Sequence, residues 1–311
     1  MVSIIKKENN GEKYNYFVKK FSFLGKSYQI SKYIGKKPFV SKEEYLIENL
    51  ENLTKCEFDL KKPFFPKDLI YFNKLIDKIE YDSIKLNNLI EGKQKQIFIE
   101  SKLLEEFVFN SNNIEGSKLP KSELEKIFEN KKIDHLNKNE ILEAKNSIKA
   151  YDYLKNDFSF NIRSIKKLYQ ILTNGLVMET GDKYPTGFRK VPLVVGNEST
   201  MDPEKISDEL KSLLTWYKLN KNSYPLKLAF DFHLYYESIH PFRDGNGRTG
   251  RLIMNKILLK NNYPLMIVFK DNKQAYFNSI KQAREGKTIN YYQFMLLQQK
   301  KSYDFIENLL K

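Results

Sequence analysis

His240-Pro241-Phe242-Arg243-Asp244-Gly245-Asn246-Gly247-Arg248-Thr249-Gly250-Arg251 is the stretch on which the reading of this chain turns. It gathers an imidazole, a carboxylate, a glycine-flanked amide and several guanidinium groups into one short segment. The chain has only six arginines, at 163, 189, 243, 248, 251 and 284, and half of them fall here. Elsewhere the positive charge is carried by lysine. Lysine is a compact ammonium on a flexible stem, whereas arginine presents a planar fork that grips two oxygens of one anion, so arginine retained in a lysine-rich chain points to phosphate. The chain has thirteen glycines, yet Gly245, Gly247 and Gly250 fall within six residues, where missing side chains let backbone N–H groups approach an anion.

Locally, a helix is expected to end near His240-Pro241, a turn to span Asp244 to Gly247, and a new helix to begin at Gly247 or Arg248. An anion would sit on the start of that second helix, where unpaired N–H groups and the positive dipole end face it. Arg248 and Arg251, three residues apart, share one face of the helix and suit a polyphosphate. Asp244 supplies a hard oxygen for Mg²⁺, or Mn²⁺ in its place, held jointly with a nucleotide. His240 has an ordinary pKa of about 6.5, so it can be neutral and accept a proton near pH 7. Taken alone it would read as a helix C-cap; beside this turn it reads as a base.

The segment resembles the signature of the Fic family, H-x-F-x-[D/E]-G-N-G-R-x-x-R, and matches it at every specified position. The resemblance implies a mainly α fold, a helical core with a small β-hairpin flap, and transfer of a nucleoside monophosphate, usually AMP from ATP, to a protein hydroxyl on Ser, Thr or Tyr. By that analogy His240 deprotonates the hydroxyl, Asp244 holds the metal, and Gly245, Asn246 and Gly247 cradle the α- and β-phosphates. Arg243 belongs to the same nucleotide site, Arg248 and Arg251 take the β- and γ-phosphates, and Phe242 anchors the loop. A subgroup that transfers phosphate instead carries lysine where Gly247 stands, which favours nucleotidyl transfer here.

Upstream, Ser111-Asn112-Asn113-Ile114-Glu115-Gly116 resembles the family's inhibitory motif [S/T]-x-x-x-E-[G/N]. In that reading a helix near 105–116 brings Glu115 onto Arg251 and withdraws its fork from the γ-phosphate; read without the signature, Ser111 would cap a turn and Glu115 lie in solvent. Relatives with this glutamate also reverse the modification, so de-AMPylation is an alternative, as is a different donor such as UTP. The family's flap is expected at Thr186, Gly187, Phe188, Arg189, Val191, Leu193 and Val194, lining up the target by main-chain pairing. Tyr276 and Phe277 resemble an aromatic pair lining the adenine pocket, with plain core residues as the equal alternative, and Arg284 stands where some relatives carry an adenine-contacting Asn. His233, seven residues before His240, has no metal-ligand spacing and reads as a packed histidine; His135, among Lys and Asn, reads as surface.

Around this segment the composition sets bounds. A chain of 311 residues can bury a sizeable core and is expected to form two domains, 1–100 and 101–311, the second holding the catalytic core. No apolar run is long enough to span a bilayer and no signal-peptide pattern opens the sequence, so a cytoplasmic protein is expected, with no membrane partner. Cys56 is the single cysteine and excludes an intrachain disulfide or a cysteine-built metal cluster. The net charge of +14 invites a nucleic-acid reading, but the lysines are spread along the whole chain and read as solvated surface.

Strand patterns run from Tyr14 to Gly35 as a hairpin with room for a third strand. Helices are expected from Ser41, over Pro66–Glu91, Gln94–Asn110, Pro120–Asn130, Asn139–Leu154, Ile162–Met178, Asp202–Leu219, Pro225–Ser238, Arg248–Lys260, Asn272–Glu285 and Asn290–Leu310. Tyr184–Gly196, broken by Pro185, Gly187 and Pro192, is expected to be a hairpin. Residues 1–100 carry no motif that names a role; target recruitment and a homodimer contact are the readings, and a nucleotide-binding regulator with a basic N-terminal interaction region is the alternative of another class.

Overall fold

A computed structural model describes residues 2–36, 41–90, 93–134, 137–178, 180–195 and 198–311; His135 and Gly196 lie outside them. The chain divides into two compact units, Met1–Ile99 with Tyr303–Lys311, and Glu100–Ser302. The last nine residues therefore count with the N-terminal unit, unlike the sequence reading, which gave them to the catalytic domain.

The first unit opens with strands β1 (Val2–Asn9), β2 (Glu12–Phe23) and β3 (Lys26–Gly35) in an antiparallel meander. The expected hairpin is β2–β3, and β1 is an additional strand paired along its whole length with β2, from Val2 opposite Lys19 to Asn9 opposite Glu12. Both turns take positive φ at their two central residues, Asn10 and Gly11 in one and Leu24 and Gly25 in the other, the twist that two-residue hairpins need. Helices α1 (Lys42–Glu48), α2 (Leu50–Lys61) and α3 (Asn73–Leu89) follow. Ser41 starts α1 through a reciprocal capping box with Glu44. Phe17, Ile30, Leu46 and Leu53 form a buried cluster between the sheet and α1–α2.

The second unit is helical. It contains α4 (Lys93–Ile114) from Glu100 onward, α5 (Lys121–Phe128), α6 (Lys138–Asn156) and α7 (Ile162–Leu172). After the two-residue strands β4 (Val194–Val195) and β5 (Glu198–Ser199) come α8 (Ile206–Asn220), α9 (Pro225–Ile239) and α10 (Asn246–Lys260). Helices α11 (Lys273–Arg284) and α12 (Thr288–Leu309) end the chain. Helices α9 and α10 are the centre of this unit: Phe230, Phe232, Tyr236 and Ile239 on one, and Ile253, Met254 and Ile257 on the other, have no exposed surface.

Two expectations are corrected here. Helix α7 stops at Leu172 rather than Met178, because the Asn146 side chain takes the carbonyls of Leu172 and Asn174 and Gly175 turns the chain at φ +72°. The hairpin expected over Tyr184–Gly196 is displaced: among the described residues of that segment the strand pairing is that of Val194–Val195 with Glu198–Ser199. The residues before it bond elsewhere, for Arg189 N–H donates to the Pro241 carbonyl and its side chain to those of His240, Val191 and Met201. Arg189 thus ties this segment to the end of α9, which leaves no edge for a longer hairpin.

Candidate active site

The site begins where α9 ends. His240 N–H still donates to the Tyr236 carbonyl, but the residue itself sits in the left-handed region at φ +49°, a conformation that costs a non-glycine residue on the order of 1–3 kcal/mol. Pro241 cannot continue the helix. What holds the strained turn is packing on both sides. Phe242 is fully buried and stacks on Tyr169, ring centroids 3.8 Å apart and planes within 4°. Asn246 closes the loop on itself, its Oδ1 accepting from Phe242 N–H and its Nδ2 donating to the Phe242 carbonyl, both at 2.8 Å. Gly245, at φ +76°, is the N-cap of α10, where a side chain would strain the turn. The Asn246 side chain is therefore spent on the loop, which leaves its backbone N–H among the open donors of the helix start.

A cavity of about 540 Å³ opens over this loop. It brings together His240, Arg243, Asp244, Gly245, Asn246, Gly247 and Arg251 with Glu115, Tyr276, Phe277 and Arg284, residues spread over some 170 positions of the chain. Arg248 does not line it. Although Arg248 and Arg251 leave the same helix, they turn to different partners.

Arg251 is fully buried and bonded to the end of α4. Its Nε donates to Ser111 Oγ at 3.1 Å, and Nη2 donates to the Ser111 carbonyl at 2.9 Å and to Glu115 Oε1 at 2.8 Å. The Ser111 carbonyl lies in the last turn of α4, where carbonyls have no intrahelical partner and a cation is favoured by the dipole. Burial alone would lower the guanidinium pKa, but Glu115 and Tyr276 raise it overall, so Arg251 stays charged. The contact is close to α10: a Cβ on Gly247 would collide with Glu115 Oε1 and come within 2.8 Å of Arg251 Nη1. Glycine at 247 is what lets Glu115 lie on the helix start.

Arg248, also buried, is ion-paired with Glu143 of α6 and lies 3.9 Å from Asp244 Oδ2. Burial raises the Glu143 pKa against the opposing pull of Arg248, and Glu115 and Asp244 add repulsion. Asp244, with its side chain about half exposed, accepts a hydrogen bond from the Tyr184 hydroxyl at 2.7 Å. Burial and that bond raise the Tyr184 pKa and keep it a donor.

The remaining residues sort plainly. Gly116 follows Glu115 at φ +113°, ending the α4 turn. His233 is packed, as expected, with Nε2 2.6 Å from the Tyr276 hydroxyl and burial lowering its pKa to about 3. Tyr276 is buried while Phe277 is partly exposed, and both reach the cavity. Among the flap residues, Thr186 accepts through its carbonyl from Gln170, Phe188 packs against Phe242, Gly187 lies in the irregular stretch between them, the Leu193 carbonyl accepts from Thr200 N–H while Leu193 N–H donates to Thr200 Oγ1, and Val191 and Val194 are exposed. Glu143, Tyr184 and Glu237 are site residues that the sequence reading does not contain. No local pattern marks them, since each is a single residue brought in from a separate element.

Residues 159–258, the segment from α7 to the end of α10 that carries this loop, match the Fic/DOC family. The chain is 33% identical, over 108 residues, to a probable protein adenylyltransferase of Aquifex aeolicus, covering 34% of this chain and 33% of that protein. The protein adenylyltransferase Fic of Aedes aegypti is 29% identical over 214 residues, 64% of this chain and 40% of that one. The chain thus spans only about a third to two fifths of the length of these relatives. Among solved structures, Fic-1 of Caenorhabditis elegans superposes with a TM-score of 0.65 at 18% identity, covering 85% of this chain and 82% of that one. A Fic family protein from Desulfovibrio desulfuricans gives 0.63 at 21% identity, covering 76% and 74%. These similarities establish the Fic fold; Glu115, Tyr276 and Phe277 lie outside the profile match. Among the described residues no helix is long and apolar enough to cross a membrane.

Proposed function

We propose that this Fic protein transfers AMP from ATP to the hydroxyl of a protein Ser, Thr or Tyr, itself included as a target, and that Glu115 holds the activity back. The observation that carries this reading is the single cavity joining His240, the glycine-rich start of α10 and an Arg251 bonded to Glu115. In it His240 takes the proton of the hydroxyl, whose oxygen bonds to the α-phosphorus while the bond to pyrophosphate breaks. The first N–H groups of α10 and its dipole receive the phosphates. Burial and the nearby Arg284 and Arg189 lower the His240 pKa to about 4, so the imidazole is neutral at pH 7 and free to accept a proton.

Asp244 would hold Mg²⁺ or Mn²⁺. Among the described residues no three ligating side chains cluster, and one exposed carboxylate fits an ion whose other ligands are water and phosphate oxygens. Such an ion, when bound, neutralises charge on the departing pyrophosphate. Arg251, once released by Glu115, would grip the polyphosphate, whereas Arg248 is committed to Glu143. Tyr276 and Phe277 would wall the base, and the exposed backbone around Val191 and Val194 would receive the target segment.

Incubation with ATP labelled at the α- or γ-phosphate tests the reading. Label on protein from α alone is expected, stronger in Glu115→Gly and absent in His240→Ala. Label from γ would replace it with phosphate transfer, and no label in any variant would favour a nucleotide-binding regulator or another donor.

A further inference from the structure

One buried acid beside the proposed base has no part in the reaction as described so far. Glu237 lies on α9 one turn before His240, with its side chain 9% exposed. Its Oε2 is 3.8 Å from His240 Nδ1, just beyond hydrogen-bond reach. The other oxygen, Oε1, is buried without a hydrogen-bond partner, and so is His240 Nδ1. Two buried polar atoms of complementary character left unbonded within one turn of helix are costly, and a small rotation of Glu237 would join them.

The backbone narrows the choice of partner for Nδ1. The carbonyl of Glu237 faces His240 while also accepting from Arg284 Nη2 at 2.5 Å, so it can share Nδ1 only as a neutral acceptor. The carboxylate is the acceptor that carries charge. Room for it comes from Gly250, where a Cβ would lie 2.7 Å from Glu237 Oε1 and 3.1 Å from His233 Nδ1. This gives the third glycine of the opening segment a purpose that the phosphate reading leaves unassigned.

The electrostatics show why a base here needs help. The charged groups facing His240 and Glu237 are Arg189 from the segment before β4, Arg284 of α11, Arg251 of α10 and Glu115 just past α4, with the Tyr276 hydroxyl of α11 and His233 of α9 alongside. Burial and two of these arginines make His240 a weak proton acceptor. Glu237 is displaced the other way: burial, with repulsion from Glu115, raises its pKa to about 7 despite Arg251 and Arg284.

Resting on the adenylyl-transfer reading, we propose that Glu237 is a positioning residue that keeps the proton of neutral His240 on Nδ1 and shares the positive charge formed when Nε2 takes the proton of the attacking hydroxyl. The proton passes from the hydroxyl to Nε2, the oxygen–phosphorus bond forms, pyrophosphate leaves with its bonding pair, and Glu237 remains a carboxylate throughout. Two variants separate its roles: Glu237→Gln keeps an acceptor for Nδ1–H but no charge, and Glu237→Leu removes both.

The experiment uses the full chain carrying Glu115→Gly, with α-labelled ATP for self-labelling and ¹⁵N NMR of the three histidine side chains. Gln is expected to keep the Nδ1–H tautomer of His240, lower kcat about 10-fold with KM for ATP within twofold, and abolish an acid limb near pH 7 in the rate profile. Leu is expected to lose the tautomer preference and lower kcat about 100-fold. Gly250→Ala should shift the His240 resonances in the same sense by crowding Oε1. Full activity of Gln with the limb intact overturns the charge role, and an unchanged tautomer in Leu overturns the positioning. The NMR arm decides the positioning even if no label is transferred, so failure of the adenylyl-transfer reading is told apart from failure of this one. If Leu unfolds, as judged by its thermal transition, Gln and Gly250→Ala still decide.

Discussion

Arg248 and Arg251 leave one helix three residues apart, both are buried, and each meets a glutamate from a distant helix, yet the two ends of this pairing differ. Glu115 sits at the cavity edge, one residue past the end of α4, with its side chain 21% exposed. Glu143 sits within α6, in its second turn, with its side chain 14% exposed, and does not line the cavity. A carboxylate just past a helix end can leave without dismantling its helix; one inside a packed helix cannot. Under the proposed function, the first pair is a latch and the second a clamp.

The comparison breaks most easily at the clamp. Arg248→Ala leaves Glu143 buried beside Asp244 and Glu115 with no counter-charge, and should cost about 3–5 kcal/mol in denaturant unfolding. If the loss is under about 1 kcal/mol, Arg248 is not a clamp. On the latch side, Glu115→Gly should raise α-label transfer about 100-fold, equivalent to about 2.7 kcal/mol. Equal or lower transfer removes the latch.

Acid sharpens the contrast further, because His233, bonded to Tyr276 over which Arg251 lies, must stay neutral. Its folded pKa, about 3, is below the unfolded value of about 6.5, so the stability it contributes is present above pH 6.5 and is lost as pH falls toward 3. At pH 5 that loss is about 2 kcal/mol, which His233→Gln should remove when unfolding midpoints are compared at pH 5 and 8. The smallest effect is expected for Glu143→Gln, roughly 1 kcal/mol of stability with no gain in transfer. A gain would make it a second latch.

What the sequence discloses follows from contiguity. His240 to Arg251 is one covalent segment, so its turn, its anion-facing helix start and the burial of Phe242 can be read directly. The meeting of Glu115 with Arg251 spans 136 positions and is visible in sequence only through the family resemblance. Glu143 and Tyr184 offer no such pattern, because a single polar residue on a helix or in a loop says nothing about which arginine or carboxylate the fold will bring to it. Asn10-Gly11 is a signal of the other kind: the dipeptide that marks a tight hairpin is present, and β1 follows from it once it is read as a turn. The shortened hairpin has a specific cause in Arg189, whose side chain donates to the carbonyls of Val191, Met201, Ile239 and His240, and proline and glycine spacing cannot reveal them.

Arg251 also serves α4, since its donation to the Ser111 carbonyl closes a group that the helix end leaves open. A polyphosphate that draws Arg251 away would therefore loosen that end, and by reciprocity any partner that unwinds 111–116 would tighten nucleotide affinity by the same factor. Amide hydrogen exchange at those residues should then speed up on nucleotide binding, making the frayed end of α4 a reporter of occupancy.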